Sequence, residues 1–456
     1  MTDIKSAWSA LGGDPALLAR TSTVVREGAL TARLPVRELA RACVGACALA
    51  AAELAAHRAG LPDVPAVRVD DGAVAAAFGS ERLLRVDGRA PVSFAPLSRL
   101  WRTADGWVRT HANYPHHRAR LLAALGGLPE DTGVVRDVLA GRSAADVEES
   151  VYAAGGLAVA LRTPEEWARH PQAAALAGRP LVERERLDDS PARVLAPLTG
   201  TPLLPAAGLR VLDLTRVLAG PVATRTLALL GADVLRVDAP RLPELPDQHA
   251  DTGLGKRSAL LDLAADGGTF EELLAGADVV VTGYRPGSLD RFGLSPRALA
   301  ARRSGIVVAQ VSAWGARGPW AARRGFDSLV QVATGIAVTE GSAGEPGTLP
   351  AQALDHGTGY LLAAGVLRAV TEQTRQGGSR CVRLALARTA AWLTDGSFDA
   401  PAGSHATYEG PGEWLAEADS ALGRLRYARP AVSFAGGPAD WARPSGPWGA
   451  DPARWA

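Results

Sequence analysis

Residues 208–238 read GLRVLDLTRVLAGPVATRTLALLGADVLRVD, and their pattern indicates the fold class. Residues 209–214 have the composition of a short apolar strand. Residues 222–230 have helical spacing and stop at Gly231, and residues 232–237 form a second strand-like run. A strand, a helix and a strand within about 30 residues make a βαβ unit. The two strands are therefore expected to lie parallel in one sheet.

The same alternation continues along the chain. Further strand-like runs cover residues 258–263, 277–282 and 305–312, and helix-like stretches at 269–274 and 296–302 separate some of them. This order predicts an α/β domain built on a parallel sheet. On periodicity alone, any doubly wound α/β domain fits.

Asp355 is the residue most suggestive of chemistry. It stands in the run ALDHGTGY, residues 353–360, which places an acid in a glycine-containing turn ahead of an apolar helix. A carboxylate in such a turn can act as a nucleophile. An Asp before a helix can also be an N-cap that only accepts backbone N–H bonds. The local sequence leaves both interpretations open.

The sequence motifs in this half of the chain resemble those of CoA-transferase family III. This group contains the formyl-CoA and carnitine CoA-transferases and also includes α-methylacyl-CoA racemase. Five motifs occur in the family's order, at residues 208–221, 229–238, 255–263, 283–293 and 325–327. The resemblance implies an α/β fold with a Rossmann-like parallel sheet domain and a smaller α+β domain. It also implies a homodimer whose two chains interlock.

The order of the domains departs from that resemblance. Residues 94–108 and 117–125 resemble the opening of the family's small domain, and residues 143–172 resemble its closing helices, yet both precede the Rossmann-like part. We therefore predict a member of the family in which the order of the domains is rearranged. One origin that would produce this order is a fusion of two copies, each of which has lost pieces. The predicted regions are an N-terminal helical region (1–90), a small-domain-like region (91–200), a Rossmann-like domain (201–400) and an extended tail rich in Pro, Gly and Trp (401–456).

The resemblance implies a role for Asp355, which matches the catalytic aspartate in Asp-x-x-Thr-Gly. Its carboxylate would attack an acyl-CoA thioester, form a mixed anhydride and then an enzyme-bound thioester. Gly357 and Gly359 would offer backbone N–H groups to the developing oxyanion. The neighbouring His356 is not expected to be a base, because consecutive residues in an extended turn point apart.

Coenzyme A, or acyl-CoA as substrate, is the ligand that the resemblance implies, with no permanently bound cofactor and a carboxylic acid as the second substrate. The residues that match family positions near the nucleotide and the CoA arm are Val217, Leu218, Lys256, Arg257, Gly283, Tyr284 and Arg291. The cations would pair with phosphates, and the tyrosine would stack on adenine. Lys256 stands out because Lys5 is the only other lysine. Leu218, Gly253, Gly283 and Ala239 occupy positions where transferases tend to carry polar or basic residues.

Two other functions stay open. A racemase or epimerase needs a second proton-transfer group, and that branch carries a histidine where this chain has Phe326, which favours the transferase. A catalytically silent acyl-CoA-binding subunit would account for the absence of polar or basic residues at Leu218, Gly253, Gly283 and Ala239.

A cluster of histidines and aromatic residues follows a strand in the small-domain-like region: His111, Asn113, Tyr114, His116 and His117. No acidic or further histidine partner lies at ligand spacing, so we predict no metal site. A loop at the domain interface, facing the acyl group, is the favoured interpretation.

Composition bounds the remaining classes. The chain has 456 residues, 47% of them hydrophobic, enough for two or three domains. A net charge of +1 argues against nucleic-acid binding through bulk electrostatics. Three cysteines, Cys43, Cys47 and Cys381, suggest a reducing compartment. The apolar run at 43–52 is shorter than a membrane span of about 20 residues. With no recognisable signal peptide, the expected location is the cytoplasm.

Overall fold

The computed structural model describes residues 3–342, 344–395 and 403–456. Its N-terminal region contains helices and strands: α1 (Ile4–Ala10), a 3-10 helix (Pro15–Arg20), β1 (Thr21–Glu27), α2 (Val36–Ala59), β2 (Val67–Asp70), α3 (Asp71–Phe78), α4 (Ser80–Leu83) and β3 (Arg85–Val86). The region from residue 91 to 200 contains β4 (Leu100–Arg102), β5 (Trp107–Thr110), α5 (Pro115–Ala124), α6 (Thr132–Ala140), α7 (Ala144–Ala153), β6 (Ala158–Ala160), α8 (Pro164–Ala168), α9 (Pro171–Leu176) and β7 (Glu183–Arg186).

The longest alternation of strands and helices follows. It comprises β8 (Arg210–Leu214), α10 (Ala219–Leu229), β9 (Asp233–Asp238), α11 (Pro246–Thr252), β10 (Arg257–Leu260), α12 (Gly267–Gly276), β11 (Val279–Thr282), a 3-10 helix (Asp290–Phe292), α13 (Pro296–Arg302), β12 (Val307–Ser312), α14 (Asp327–Ala333), α15 (Ile336–Thr339), α16 (Ala353–Gln376), β13 (Arg380–Ala385) and α17 (Leu386–Thr394). The C-terminal region has β14 (Ser404–Thr407), a 3-10 helix (Gly412–Trp414), β15 (Leu415–Ser420) and β16 (Gly423–Ala428).

The central sheet has seven strands in the order β10-β9-β8-β11-β12-β13-β7. The first six are parallel, and β7 joins antiparallel at the edge. Taken in chain order, the parallel strands run 3-2-1-4-5-6, the order of a doubly wound Rossmann sheet. Every residue of β11 is buried, because helices cover both faces of the sheet. The predicted α/β fold class is confirmed.

A separate antiparallel sheet, β4-β5-β6, lies in the region from 91 to 200. With α5, α6 and α7 it encloses its own apolar cluster, which includes Trp101, Val108, Leu121 and Val151. This is the small α+β unit that the sequence indicated. However, β7 at Glu183–Arg186 belongs to the central sheet, beyond that unit.

The N-terminal region is less helical than predicted, because β1 and β2 form a parallel sheet with β14. Its main element is α2, which lies along α16, both helices being 24 residues long. By length and composition alone, α2 could cross a membrane, yet its whole apolar window is buried inside the protein. Glu53 of α2 and Arg368 of α16 form a buried ion pair between the two helices.

The order of α2, β2 and α3 repeats that of α16, β13 and α17. In each case a 24-residue helix is followed by a strand and then by a helix that begins directly after the strand. Each strand also pairs in parallel with a neighbour, β2 with β1 and β13 with β12. The two-copy origin stays a prediction, and this repetition is the observation in its favour.

The C-terminal region is more ordered than an extended tail. Its strands β15 and β16 form a hairpin that pairs with β3. Three tryptophans then dock it on the central domain by donating indole N–H bonds: Trp441 to the carbonyl of Arg225, Trp448 to Asp238 and Trp455 to the carbonyl of Leu273.

Candidate functional site

Asp355 lies on the wall of a cavity of about 390 Å³, here called the Asp355 cavity. It is the third residue of α16 and its side chain is 6% exposed, so it stands inside the first helical turn and not in a turn before the helix. The cavity is lined from three regions of the chain, by Glu81 and Arg82, by Pro91 to Phe94 with Arg109 and His111, and by Val217, Leu218, Phe326, Ser328, Gln331 and Gln352.

Asp327 caps the helix that carries Asp355. One of its carboxylate oxygens accepts the backbone N–H groups of Leu354 at 2.8 Å and Asp355 at 3.0 Å. The other oxygen accepts a hydrogen bond from the Gln331 side chain. Since the first N–H groups of a helix need outside acceptors, Asp327 fills the N-cap role that local sequence left open for Asp355.

The Asp355 carboxyl is left without a donor. Among the described residues, none donates a hydrogen bond to either of its oxygens. Burial raises its pKa well above the usual range, and the nearby charges of Asp327 and Glu81 raise it further. The pKa of Asp327 is also raised, to about 6, by burial that its hydrogen bonds only partly offset. The arrangement therefore holds a poorly solvated carboxyl group at the cavity wall.

Glu81 lies on α4 and lines the same cavity, although it precedes its hydrogen-bond partner His356 by about 270 residues in the chain. Its Oε2 lies 3.0 Å from Nε2 of His356, whose ring is fully buried and stacks on Phe78 with centroids 5.2 Å apart. Burial raises the pKa of Glu81, but the hydrogen bond and charge of His356 outweigh it, so the net pKa is lowered. The His356 ring thus points toward Glu81, where a hydrogen bond holds it.

Two unpaired polar groups face this cavity. Arg109, on β5, is 8% exposed, and none of the described residues accepts a hydrogen bond or forms an ion pair with its guanidinium. Ser328 is 6% exposed, and its hydroxyl has no partner in the described chain. Burial lowers the pKa of Arg109 to about 10, so the group stays charged at neutral pH. Buried polar groups are normally paired, so these two indicate ligand contacts.

His111 stacks directly on Phe326, with ring centroids 3.8 Å apart. Burial, together with the charge of Arg109, lowers its pKa to about 3, and neither ring nitrogen has a partner in the described residues. His117 meets the same phenyl ring edge-on at 5.9 Å. The loop from His111 to His117 therefore lies between the small α+β unit and the central domain.

A second cavity, of about 220 Å³, is here called the Tyr284 cavity. It lies where the loops after β8 and β11 meet. These strands are neighbours, and the strand order reverses between them, which is where doubly wound sheets bind ligands. Val217, Gly283 and Tyr284 line it, and Val217 has the strained positive φ of 71°. The CoA contacts expected of these three residues stay a prediction. Val217 and Phe326 line both cavities, so the two adjoin.

The Tyr284 cavity is basic. Arg324 makes no side-chain hydrogen bond or ion pair with any described residue, and burial, Arg285 and Arg120 together lower its pKa. The Arg285 guanidinium bonds only the carbonyl of Ala322, at 3.1 Å, among the described groups. Neighbouring cations without a carboxylate between them form a site for an anion.

Lys256 does not reach this cavity, which corrects the predicted phosphate contact. Its ammonium is 1% exposed and donates to Asp213 at 2.9 Å, to the carbonyl of Pro221 at 3.0 Å and to Thr224 at 2.5 Å. Burial lowers its pKa to about 8, although the Asp213 charge opposes that effect. The lysine holds β8 and α10 together, and a phosphate contact would break this network.

Arg257 and Arg291 also lie outside both cavities. Arg257 pairs with both oxygens of Asp233, at 2.8 and 2.9 Å, and donates to the carbonyl of Arg454. Arg291 is exposed, with its guanidinium 4.7 Å from the ring centre of Phe292. The structure therefore places neither arginine on a cavity wall, and the phosphate contacts expected of them stay a prediction. Leu218, by contrast, is buried and lines the Asp355 cavity.

The oxyanion role predicted for Gly357 and Gly359 is also corrected, because both lie within α16. Their small size serves packing. A Cβ at Gly357 would come within 2.9 Å of Leu39, and one at Gly359 within 2.6 Å of the carbonyl of Ala219. The glycines let α2 and α10 approach the helix that carries Asp355.

Sequence reasoning missed Glu81, Arg109, Ser328, Arg285 and Arg324. Arg285 and Ser328 lie within or directly beside the motifs at 283–293 and 325–327, and Arg324 precedes the second, so their proximity to these motifs was an available signal. No sequence signal pointed to Glu81 or Arg109, since each lies at the site only because of tertiary packing. No group of three or more His, Cys, Asp or Glu suited to a metal ion occurs in the described parts of the chain.

The model of CoA-transferase family III matches residues 206–418. "Probable fatty acyl-CoA transferase Rv3272" of Mycobacterium tuberculosis is 33% identical over 207 residues, which cover 41% of this chain and 52% of that protein. "Acetyl-coenzyme A transferase nodX" of Hypoxylon pulicicidum is 35% identical over 210 residues, covering 44% of this chain and 35% of that protein.

The "Acyl-CoA transferase" of Gibberella moniliformis is 32% identical over 308 residues, covering 61% of this chain and 53% of that protein. The crystal structure of the Mycobacterium tuberculosis protein aligns at 33% identity with a TM-score of 0.40, covering 43% of this chain and 57% of that chain. This chain thus spans between 35% and 53% of the length of these three curated relatives.

Proposed function

Residues 206–418 belong to CoA-transferase family III, and on that premise we propose that the protein moves CoA between an acyl-CoA and a carboxylic acid. Asp355 is the nucleophile in this proposal. The observation that carries it is the state of the Asp355 carboxyl, which is buried on a cavity wall, free of hydrogen-bond donors and relieved of helix capping by Asp327.

In this proposal, the bound acyl-CoA extends through both cavities. The nucleotide end occupies the Tyr284 cavity, where Arg285 and Arg324 meet its phosphates and Tyr284 stacks on adenine. The pantetheine arm passes between Val217 and Phe326, the residues shared by both cavities. The thioester then lies in the Asp355 cavity.

The reaction begins when the ionised Asp355 carboxylate attacks the thioester carbonyl. The C–S bond breaks, CoA leaves as a thiolate, and a mixed anhydride remains on Asp355. The thiolate then attacks the aspartyl carbonyl and releases the first acid as a carboxylate, leaving an aspartyl-CoA thioester. The second acid reverses both steps, so a new acyl-CoA leaves and the Asp355 carboxylate is regenerated.

Ser328 takes the oxyanion role in this proposal. Its buried hydroxyl is an unused donor on the wall of the same cavity. By contrast, the N–H groups of Leu354 and Asp355 are already bound to Asp327. A fixed donor aimed at a developing oxyanion lowers the barrier because it needs no reorganisation during the reaction.

Trapping with hydroxylamine tests the proposal. Incubation with an acyl-CoA followed by hydroxylamine should convert Asp355 to a hydroxamate, detected by mass spectrometry of the peptide. Asp355→Ala should lose both the adduct and CoA exchange, whereas Asp290→Ala, at an exposed site, should retain both. An unmodified Asp355 peptide while exchange proceeds would refute the anhydride route.

A second candidate, an acyl-CoA racemase, is favoured by one observation. His111 stacks on Phe326 and so brings an imidazole to the motif where the racemase branch has its own histidine. The lowered pKa of His111, about 3, makes it a weak base and favours the transferase. A 2-methylacyl-CoA incubated in D₂O should therefore gain no deuterium at its α-carbon, and rapid exchange would select the racemase.

A homodimer and a cytoplasmic location are also part of the proposal. The three cysteines are free and buried, which suits a reducing compartment. Because interlocked chains cannot separate without unfolding, the molar mass of two chains and the exchange activity per molecule should both stay constant when the protein is diluted. Light scattering and activity measured across the same dilution series test this.

If the protein binds acyl-CoA and exchanges no acid tried, the silent-subunit function replaces the transferase.

A further inference from the structure

A cluster of three buried polar side chains, here called the Ser80 cluster, lies directly beside Glu81 in the chain. Ser80 donates its hydroxyl hydrogen to Oδ2 of Asp251 at 3.0 Å and accepts a hydrogen bond from Nη2 of Arg225, also at 3.0 Å. Arg225 in turn pairs with Oδ2 of Asp251 at 3.0 Å. None of the three residues is more than 2% exposed, and none lines the Asp355 cavity or the Tyr284 cavity. The cluster therefore has no direct contact with the substrate in the proposed reaction.

The Ser80 cluster fixes the beginning of α4. Arg225 lies on α10 and Asp251 on α11, so the cluster joins α4 to two helices of the central domain. A helix of four residues is not stable by itself, and Gly79, which precedes α4, has no side chain to cap it. At the other end of α4, Leu84 is buried in an apolar cluster. Ser80 thus supplies the polar contacts that fix the first residues of the helix.

Glu81 follows Ser80 in the chain and lines the Asp355 cavity. Its Oε2 lies 3.0 Å from Nε2 of His356. Burial raises the pKa of Asp355 most, and the charges of Asp327 on α14 and of Glu81 raise it further. The repulsion between two carboxylates weakens as the distance between them grows. The effect of Glu81 on Asp355 therefore depends on where α4 places it.

This repulsion favours the proposed reaction. Attack on the thioester converts the Asp355 carboxylate into a neutral anhydride, and the aspartyl-CoA thioester that follows is neutral too. Once Asp355 is ionised, a carboxylate fixed nearby raises the energy of the nucleophile but not that of these intermediates, so it favours attack.

We infer that Ser80 is a positioning residue for CoA transfer: with Arg225 and Asp251 it fixes α4 so that the Glu81 carboxylate stays on the wall of the Asp355 cavity. This inference rests on the proposed function. It concerns a part of the chain outside the family match, since Ser80 and Glu81 precede residues 206–418.

The pH dependence of kcat/KM tests the inference. Ser80→Ala removes the hydroxyl and leaves the ion pair of Arg225 with Asp251 in place. With Glu81 held less firmly, its charge should repel that of Asp355 less, so the rising limb of the profile should move to lower pH. The shift should be smaller than that of Glu81→Gln, which removes the charge outright. In the Glu81→Gln background, Ser80→Ala should cause no further shift, because the charge through which it acts is gone.

Ser445→Ala is the matched control. Ser445 is fully buried, and its hydroxyl donates to the carbonyl of Ala250 on α11 at 2.7 Å, one residue from Asp251. Both serine variants should lower the free energy of unfolding in urea, but only Ser80→Ala should move the limb. If Ser80→Ala does not fold, Ser80→Cys, whose thiol is a weaker donor, should move the limb by less in the same direction. Three other charged groups of the cavity wall stay in place in all these variants: Arg82, Arg109 and Asp247.

Labelling of Asp355 with a water-soluble carbodiimide measures the same ionisation without turnover, because the reagent reacts with protonated carboxyl groups. Peptide mass spectrometry across the pH range should show the labelling transition of the wild-type protein displaced to lower pH in Ser80→Ala. A transition and a limb that Ser80→Ala leaves in place, an equal shift in Ser445→Ala, or an equal shift in the Glu81→Gln background would each overturn the inference.

The two measurements together separate this inference from the proposed function. A displaced labelling transition in a protein that exchanges no acid would refute the transferase and leave the placement of Glu81 by Ser80 standing. Exchange that requires Asp355, with both profiles unaffected by Ser80→Ala, would refute the positioning role alone.

Discussion

At the scale of single residues, the site depends on two aspartates with different tasks. Asp327 is fully buried and accepts the N–H groups at the start of α16, whereas Asp355 is held beside it with no donor to stabilise its charge. A capping residue stabilises the fold, and a desolvated carboxylate opposes it. The two roles therefore predict opposite effects of mutation.

Asp355→Asn should make the protein more stable at neutral pH while abolishing exchange. Because the folded pKa of Asp355 is raised, its contribution to stability is present below the unfolded pKa of about 3.9 and is lost as the pH rises through the folded pKa. Asn removes that loss, so the free energy of unfolding of Asp355→Asn should exceed that of the wild-type protein at pH 7.

Urea unfolding at pH 4 and pH 7 measures this, since the difference between the two proteins should shrink toward pH 4. Asp327→Ala is the control, and it should lower the free energy of unfolding by about 1–3 kcal/mol because buried N–H groups lose their acceptor. If Asp355→Asn is the less stable protein at pH 7, Asp355 is a structural residue.

The pH dependence of exchange should report the same carboxyl. Attack requires ionised Asp355, so kcat/KM should rise with pH along a limb that lies well above the range of an exposed aspartate, about pH 4. Glu81 contributes to the raised pKa, so Glu81→Gln should move the limb to lower pH. Glu130→Gln, at a surface ion pair with Arg118, should leave it in place. A limb unmoved by Glu81→Gln would exclude this coupling.

At the scale of elements, the start of α16 is positioned by close helix packing. The helix passes α10 at Gly359 and α2 at Gly357, where a side chain would collide with the neighbour. This packing sets the distance between Asp355 and the loop after β8 that lines both cavities. Glycine within a helix costs about 1 kcal/mol relative to alanine, so its presence here reflects the contact and not the helix.

Gly359→Ala should therefore destabilise the protein by about 1–3 kcal/mol despite the better helix propensity of alanine, because the new Cβ would lie 2.6 Å from the carbonyl of Ala219. Exchange activity should fall with it. Gly268→Ala in α12 is a matched helical control, since nothing lies within 4 Å of its added Cβ and no loss is expected. Urea unfolding of both variants decides, and equal stabilities would show that the helices adjust freely.

At the scale of the whole molecule, the N-terminal region is part of the central core. The apolar cluster that contains α16 and the inner face of the central sheet also contains α2, and Glu53 joins Arg368 across the two helices. Glu81 then reaches the site from the end of the same region. The region therefore supports the site both by packing and by contributing a charge.

The buried cysteines can report on this arrangement. Cys43 and Cys47 lie on α2 and Cys381 on β13, all three with at most 1% exposure, and burial raises the pKa of each thiol. A thiol reagent should therefore label none of them until the protein unfolds, and all three labelling curves should follow the same urea midpoint. Early labelling of Cys43 and Cys47 alone would show that α2 opens independently of the central domain.

Local sequence patterns were sufficient to predict the elements of the central domain and to single out Asp355. Hydrophobic periodicity is a local property, so the runs at 209–214 and 277–282 predicted β8 and β11 to within about two residues at either end. The Asp-x-x-Thr-Gly motif led to Asp355 in the same way. In each case the decisive information lies in neighbouring residues.

The contacts of those residues, by contrast, depend on the tertiary structure. Lys256 is close in sequence to the CoA motifs, yet packing turned its ammonium toward Asp213. Arg109 and Glu81 are distant in sequence from Asp355, yet the small sheet and α4 bring them to its cavity. Burial and charge pairing depend on which elements pack against each other in space. A local sequence pattern does not specify which distant elements these are.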